Sequence, residues 1–184
     1  MVMPPTSAGS QKRRRRADGR RRALVLAAGV LAAGFAYGAG LPSGEPKLLP
    51  PEQAFRFSAR ALDATTLEAR FDVVDGYYLY RDKLGFTVEP ATAAAGVPTL
   101  PQGKRKHDEF FGDVETYRGH VVVRVPLANA ASGSAVTFKA ASQGCADAGV
   151  CYPPTVQQVR LVIPAPGAGP GPIVEAPRKK GLFD

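Results

Sequence analysis

Two cysteines are the residues of this chain best suited to chemistry. Cys145 and Cys151 are its only cysteines, and five residues separate them. A disulfide across so few residues constrains little of the unfolded chain, because even a 15-residue loop contributes only roughly 3 kcal/mol. The spacing therefore favours redox exchange over stabilisation. From composition and spacing alone, however, a static disulfide in a secreted domain stays open as the alternative.

The same spacing argues against a metal site. The pattern C-x5-C differs from the C-x2-C of thioredoxin-like redox helices and zinc ribbons. A zinc ion would need two more ligands, and the only histidines are His107 and His120. His120 begins a strand-like pattern and is typical of a surface residue. We predict no metal and no cofactor, so that any redox group is the cysteine pair itself.

The segment between the cysteines predicts a tight loop. Its residues, ADAGV, are mostly small and allow the chain to fold back in a hairpin-like turn, and Pro153 and Pro154 then end any strand pairing. No cation is close to the cysteines in sequence, whereas Asp147, Asp108 and Glu109 are acidic. Such acids would disfavour a thiolate and slow indiscriminate reaction.

Charge is concentrated at the amino end of the chain. Residues 1–22 carry eight Lys or Arg residues and one acid. Because the whole chain has a formal net charge of +8, the residues after 22 have no basic excess that could bind nucleic acid. Residues 23–40 are uncharged and mildly apolar, which predicts a secretory signal, with an uncleaved membrane anchor as the alternative. Either would carry the following domain out of the cytoplasm.

Periodicity predicts one β domain. We divide the chain into a signal peptide or anchor (1–40), a linker (41–50), a folded domain (51–163) and a flexible Pro/Gly-rich tail (164–184). Polar and apolar residues alternate in short runs separated by turn signals such as Asp75-Gly76. The predicted strands are residues 55–57, 67–73, 77–80, 86–89, 120–125, 136–140 and 156–163. Short strands with hardly a helical stretch favour an all-β fold, an immunoglobulin-like antiparallel β-sandwich.

Several motifs in the same order resemble one known family. The run QGCADAGVCYPP (143–154) is similar to the cysteine segment of the amino-terminal periplasmic domain of the thiol:disulfide interchange protein DsbD. The runs PEQAF (51–55), DGYYLYR (75–81), LPQG (100–103) and DEFFG (108–112) resemble other marked segments of that family. The resemblance extends over residues 50–163, which is the whole predicted domain.

The resemblance implies a redox role for the cysteines. Cys151 would attack the disulfide of a partner, and Cys145 would resolve the mixed disulfide. Residues 108–112, comprising Asp108, Glu109, Phe110, Phe111 and Gly112, would form a cap loop with Phe110 over the sulfurs. Tyr78 and Tyr80, two apart on one strand face, would line the site. Without the resemblance, both phenylalanines could be core residues and both acids solvated loop charges.

The resemblance also implies partners and a location. Electrons would pass to oxidised thioredoxin-fold proteins of the periplasm, such as a disulfide isomerase and the thioredoxin of cytochrome c maturation. The chain has no second long apolar segment and no C-x2-C motif. We therefore expect a membrane-embedded electron donor in trans, and export to the periplasm or anchoring in the inner membrane. The competing functions are a secreted adaptor with an inert disulfide and a membrane-tethered assembly factor.

Overall fold

The structure is a computed structural model, and it describes residues 48–178. The predictions for residues 1–40, for most of the linker and for the last residues of the tail lie outside this range. No helix in the described part of the chain is long and apolar enough to cross a membrane.

Strands make up almost all of the regular structure between residues 48 and 178. They are β1 (Phe55–Ala61), β2 (Thr66–Val73), β3 (Tyr77–Tyr80), β4 (Gly85–Glu89), β5 (Lys104–Asp108), β6 (Gly112–Tyr117), β7 (Gly119–Pro126), β8 (Ala135–Ser142), β9 (Gly144–Ala146), β10 (Thr155–Val162) and β11 (Val174–Glu175). A short helix, α1 (Pro51–Ala54), precedes β1, and a 3-10 turn (Arg81–Lys83) follows β3.

Two antiparallel sheets enclose the main core. One has the order β11-β1-β2-β7 and the other β10-β8-β4. Phe57 of β1 packs against Phe71 of β2 and, at 5.9 Å between ring centroids, against Phe138 of β8 in the other sheet. All three rings are buried, and burial of one such side chain stabilises a fold by about 1.5–3 kcal/mol. The predicted immunoglobulin-like sandwich is confirmed.

A third sheet, with the order β5-β6-β3-β9, carries the cysteine segment. All four residues of β3 are buried, but they belong to two different environments. Tyr77 and Leu79 pack into the main core, whereas Tyr78 and Tyr80 form a separate cluster with Cys145. Because successive strand residues point to opposite faces, one four-residue strand contributes to both the core and the site.

Three strands of this sheet lie outside the predicted set. β5 has the sequence KRKHD and is an edge strand whose side chains are mostly exposed, so it has no alternating apolar face. β6 is largely polar, and β9 has only three residues. The predicted turn at Asp75-Gly76 is present, with Gly76 at φ 84°, but it connects β2 and β3 in different sheets and does not close a hairpin.

Both ends of the predicted domain extend further than the sequence indicates. In the predicted linker, the N–H of Leu49 donates to the Tyr77 hydroxyl (2.9 Å), and its carbonyl accepts from the Tyr152 hydroxyl (2.7 Å). Burial and the neighbouring Tyr77 raise the pKa of Tyr152 to about 12, which keeps its hydroxyl a donor. In the predicted flexible tail, Val174–Glu175 pairs with β1. Two-residue strands have no detectable periodicity, so sequence alone does not reveal this pairing.

Candidate functional site

Cys145 and Cys151 form a disulfide at one end of the third sheet. Cys145 lies in β9 directly opposite Tyr78 of β3. The chain then returns in the predicted tight loop, in which the N–H of Ala146 donates to the carbonyl of Val150 (2.8 Å). Gly149 has φ 84°, a left-handed conformation that glycine adopts without strain. Small residues therefore bring the two sulfurs together.

The two cysteines differ in accessibility. Cys145 is 1% exposed, whereas Cys151 is partly exposed and lines an open cavity of about 330 Å³. Tyr78, Asp108, Phe110 and Asp147 line the same cavity. An incoming group can therefore approach Cys151 through this cavity, while Cys145 is covered.

Asp108 is the polar centre of the site. It ends β5, is 3% exposed and accepts hydrogen bonds from two hydroxyls and two backbone N–H groups. The donors are the hydroxyls of Tyr78 (3.0 Å) and Tyr80 (2.8 Å) to Oδ2, and the N–H groups of Phe110 (3.0 Å) and Phe111 (3.3 Å) to Oδ1. Burial acts to raise the pKa of Asp108, but these hydrogen bonds outweigh it and lower the pKa to about 2. Asp108 is thus a carboxylate at neutral pH, not a solvated loop charge.

Tyr80 connects this carboxylate to the sulfurs. Its hydroxyl oxygen lies 3.0 Å from Cys145 Sγ and 3.8 Å from Cys151 Sγ, while it donates to Asp108. Burial, together with the nearby Asp108, raises the pKa of Tyr80 far above its ordinary value, so the hydroxyl stays protonated. When the pair is reduced, a Cys145 thiol can donate to the Tyr80 oxygen, which gives a continuous path from thiol to carboxylate.

The predicted cap loop is a β-hairpin turn between β5 and β6. Asp108 and Gly112 are the last paired residues of the two strands, and residues 109–111 form the turn. Phe111 packs edge-on against Tyr80, at 5.0 Å between centroids, whereas Phe110 lines the cavity together with Cys151. Phe110 is 67% exposed and Phe111 is 41% exposed, so neither is a core residue. Glu109 is exposed.

The structure brings most of the predicted site residues together. Tyr78, Tyr80, Asp108 and both cysteines form one connected cluster, and Phe111 lies against it. Phe110 lies at the cavity and Glu109 at the exposed turn.

Lys106 and Arg118 lie at the site, and the sequence analysis assigned neither of them to it. Lys106 donates to the Tyr78 hydroxyl (2.5 Å), and Arg118 forms a two-bond fork with Asp147 (2.9 and 2.5 Å). No cation is close to the cysteines in sequence, but chain folding brings these two distant cations to the acidic residues of the site. A sequence signal for Lys106 did exist, since it is two residues from Asp108 and thus on the same face of a strand.

Both histidines lie in paired positions at the surface, and His107 also lines the cavity of Cys151. His107 contacts Asp113 (2.8 Å), and His120 contacts Asp72 (2.7 Å), with all four side chains exposed. His120 is therefore a surface residue, as predicted. Among residues 48–178, no group of three His, Cys, Asp or Glu side chains is arranged to hold a metal ion.

Arg118 ties the loop between the cysteines to β3. Besides Asp147, it donates to the carbonyl of Tyr77 (3.1 Å). Its charged group and that of Asp147 are about half exposed, so we expect Arg118→Met to lower the free energy of unfolding by only about 0.2–1 kcal/mol. We also expect faster amide hydrogen exchange in residues 146–150. Equal exchange in the variant and the unchanged protein would contradict the role of Arg118 in holding this loop.

Comparison with known proteins agrees with this geometry. The family model described as "Thiol:disulfide interchange protein DsbD, N-terminal" matches residues 45–163. The thiol:disulfide interchange protein DsbD of Ralstonia nicotianae is 49% identical over 127 residues, which cover 66% of this chain and 21% of that protein. DsbD 1 of Pseudomonas aeruginosa is 40% identical over 156 residues, which cover 82% of this chain and 26% of that protein. The chain thus spans about a fifth to a quarter of the length of these curated relatives.

Solved structures agree as well. The reduced amino-terminal domain of DsbD from Neisseria meningitidis matches with a TM-score of 0.60 and 33% identity, over 71% of this chain and 96% of that one. A complex between the DsbD and PilB amino-terminal domains from the same organism matches with a TM-score of 0.52 and 38% identity, over 62% of this chain and 87% of that one. The resemblance seen in the sequence motifs is confirmed. This chain belongs to the family of the amino-terminal domain of the thiol:disulfide interchange protein DsbD.

Proposed function

We propose that this domain delivers electrons to periplasmic proteins by thiol–disulfide exchange at Cys145 and Cys151. The observation that carries the proposal is a disulfide between a buried cysteine and a partly exposed cysteine that lines an open cavity, in a chain of the DsbD amino-terminal family. A disulfide used only for stability has no need of an accessible sulfur, and its six-residue separation would stabilise the fold little.

The reaction begins with the domain in its dithiol form. The Cys151 thiolate attacks one sulfur of the partner's disulfide, so that a mixed disulfide forms and the partner's other sulfur leaves and takes up a proton. The Cys145 thiol then loses its proton and attacks Cys151. This step closes the intramolecular disulfide and releases the second partner thiol. Two electrons and two protons have passed to the partner, and no cofactor is required.

The residues around the sulfurs support these steps. The covered position of Cys145 keeps it from external disulfides, so that it reacts after Cys151 has bound the partner. Tyr80, 3.0 Å from Cys145 Sγ and bonded to Asp108, can accept the thiol hydrogen bond and keep the sulfur oriented. Phe110, Phe111 and Glu109 on the cap turn, with Tyr78, would form the surface that a docking partner meets.

The partners that we propose are thioredoxin-fold proteins, including a disulfide isomerase and the thioredoxin of cytochrome c maturation. The related Neisseria DsbD domain forms a complex with the PilB amino-terminal domain, and a similar docking of a folded protein domain suits the open cavity of this chain. We further propose export to the periplasm and re-reduction by a dithiol of a membrane-embedded protein. The enzyme class would be that of a protein-disulfide reductase.

A trapping experiment tests the exchange activity. Cys145→Ala should accumulate a mixed disulfide through Cys151 with an oxidised thioredoxin-fold protein, because no resolving thiol remains. Cys151→Ala is the matched control and should trap at least tenfold less, since Cys145 is covered. Non-reducing gels and peptide mass spectrometry identify the adduct. Absence of an adduct with Cys145→Ala would refute electron delivery and favour an adaptor with an inert disulfide.

A further inference from the structure

Lys106 is a cation at the redox site. It lies in β5 and lines the same cavity as Cys151. Its Nζ is 2.5 Å from the Tyr78 hydroxyl, 3.8 Å from the centroid of the Tyr78 ring and 3.5 Å from Asp108 Oδ2. The side chain is 38% exposed, so its ammonium is held by these contacts at the edge of solvent.

These contacts form a chain that reaches the sulfurs. The Lys106 ammonium donates to Tyr78, Tyr78 and Tyr80 both donate to Asp108, and the Tyr80 oxygen touches Cys145 Sγ. Lys106 thus donates to the hydroxyl oxygen of Tyr78, which is one of the two tyrosines that donate to Asp108. Burial acts to lower the pKa of Lys106, but Tyr78 and Asp108 outweigh it and raise the pKa, so the ammonium stays charged at neutral pH.

Among the charged groups at the cavity, the Asp108 carboxylate is the one that the Lys106 ammonium can offset. The Arg118 guanidinium, from the junction of β6 and β7, pairs with Asp147 and lies 5.2 Å from the centroid of the Tyr78 ring, farther than the 3.8 Å of Lys106. Asp108 on β5 is a buried carboxylate next to the cysteine pair, and Glu109 on the cap turn adds a second, exposed acid. His107, also at the cavity, faces Asp113. A buried carboxylate without a cation would oppose formation of a thiolate beside it.

We propose that Lys106 is a positioning residue for the exchange reaction, which holds Tyr78 on Asp108 and offsets the carboxylate so that Cys151 can form a thiolate. This inference rests on the proposed exchange function and specifies how the site is tuned for it. The pattern K-x-D in β5, with both side chains on one strand face, would be its sequence signature.

The test uses the reduced full-length chain and a small alkylating reagent, iodoacetamide, with mass spectrometry to follow Cys151. We expect Lys106→Met, which keeps the length of the apolar stem, to slow alkylation at pH 7 roughly three- to tenfold. The pH–rate profile should move to higher pH, while the rate at its upper plateau stays unchanged. Lys106→Arg keeps the charge and should restore most of the rate.

Lys104→Met is the matched control. It removes the same charge from the same strand, two residues away and on the same face, at an exposed position. A profile for Lys106→Met that coincides with that of the unchanged protein, or an equal shift from Lys104→Met, would overturn the proposal. Alkylation requires no protein partner. Failure of the proposed function in the trapping experiment would therefore be distinguishable from failure of the role of Lys106.

Discussion

Gly144→Ala is expected to lower the free energy of unfolding by about 3 kcal/mol or more and to separate Cys145 from Tyr80. An alanine Cβ at this position would lie 2.2 Å from the Tyr78 carbonyl oxygen and 2.7 Å from Cζ of the buried Phe55 ring. Both neighbours are fixed, one in a strand and one in the core. Overpacking usually costs about 1–3 kcal/mol, and a clash with backbone exceeds that range because β9 must move away from β3.

Urea unfolding of the oxidised protein measures this loss. Gly85→Ala is the matched control, because its Cβ would lie 3.7 Å from Ala141 Cβ, an ordinary van der Waals distance. That variant should stay within about 0.5 kcal/mol of the unchanged protein, or gain slightly from the stiffer unfolded chain. Equal urea midpoints for the two variants would show that β9 does not approach β3 as closely as the structure indicates.

Asp108→Asn is expected to lower the free energy of unfolding by about 2–3 kcal/mol at pH 7. The carboxylate accepts two tyrosine hydroxyls on one oxygen and two backbone N–H groups on the other. The asparagine amide has only one oxygen, so its NH₂ group must face two of these donors and leaves them without an acceptor. A hydrogen bond to a charged acceptor contributes about 1.5–3 kcal/mol, which sets the size of the expected loss. Asp113→Asn, at an exposed position of the same hairpin, is the matched control and should change stability little.

The pH dependence provides an independent measurement of the same carboxylate. The pKa of Asp108 is lowered to about 2 in the folded protein, from an ordinary value of 3.8. Its contribution to the free energy of unfolding is therefore complete above about pH 5 and is lost as the pH falls through about 2. Over this pH interval, the difference in free energy of unfolding between the unchanged protein and Asp108→Asn should narrow by about 2 kcal/mol. Urea unfolding of both proteins at each pH measures this difference. A stability difference that does not change with pH would contradict the lowered pKa of Asp108.

Much of the fold was predictable because burial alternates along the strands. In β1 and β8, every second residue is buried, and that pattern is visible in the sequence as alternating apolar residues. Tyr78 and Tyr80 were predicted to share a face for the same reason, and both reach Asp108. The tight loop between the cysteines was indicated by its small residues.

Other parts could not be obtained from local patterns. β5 consists almost entirely of charged residues and lies at a sheet edge. Most of its side chains are exposed to solvent there, so the strand needs no alternating apolar residues that the sequence could reveal. The turn at Asp75-Gly76 looks like a hairpin turn, yet its flanking strands pair with other partners, because pairing depends on the whole sheet order. Leu49 was assigned to the linker, although two tyrosine hydroxyls bind its backbone.

The amino-acid sequence by itself determined the strand periodicity, the cysteine pair with its tight loop and the family to which the chain belongs. These features depend on residues that are neighbours along the chain. Only the tertiary structure shows that Cys145 is buried and Cys151 partly exposed, that Asp108 is buried and linked to the sulfurs through Tyr80, and that Lys106 and Arg118 bring positive charge to the site. The reason is physical: burial and electrostatics at a site depend on distances between strands, and sheet order and register set those distances.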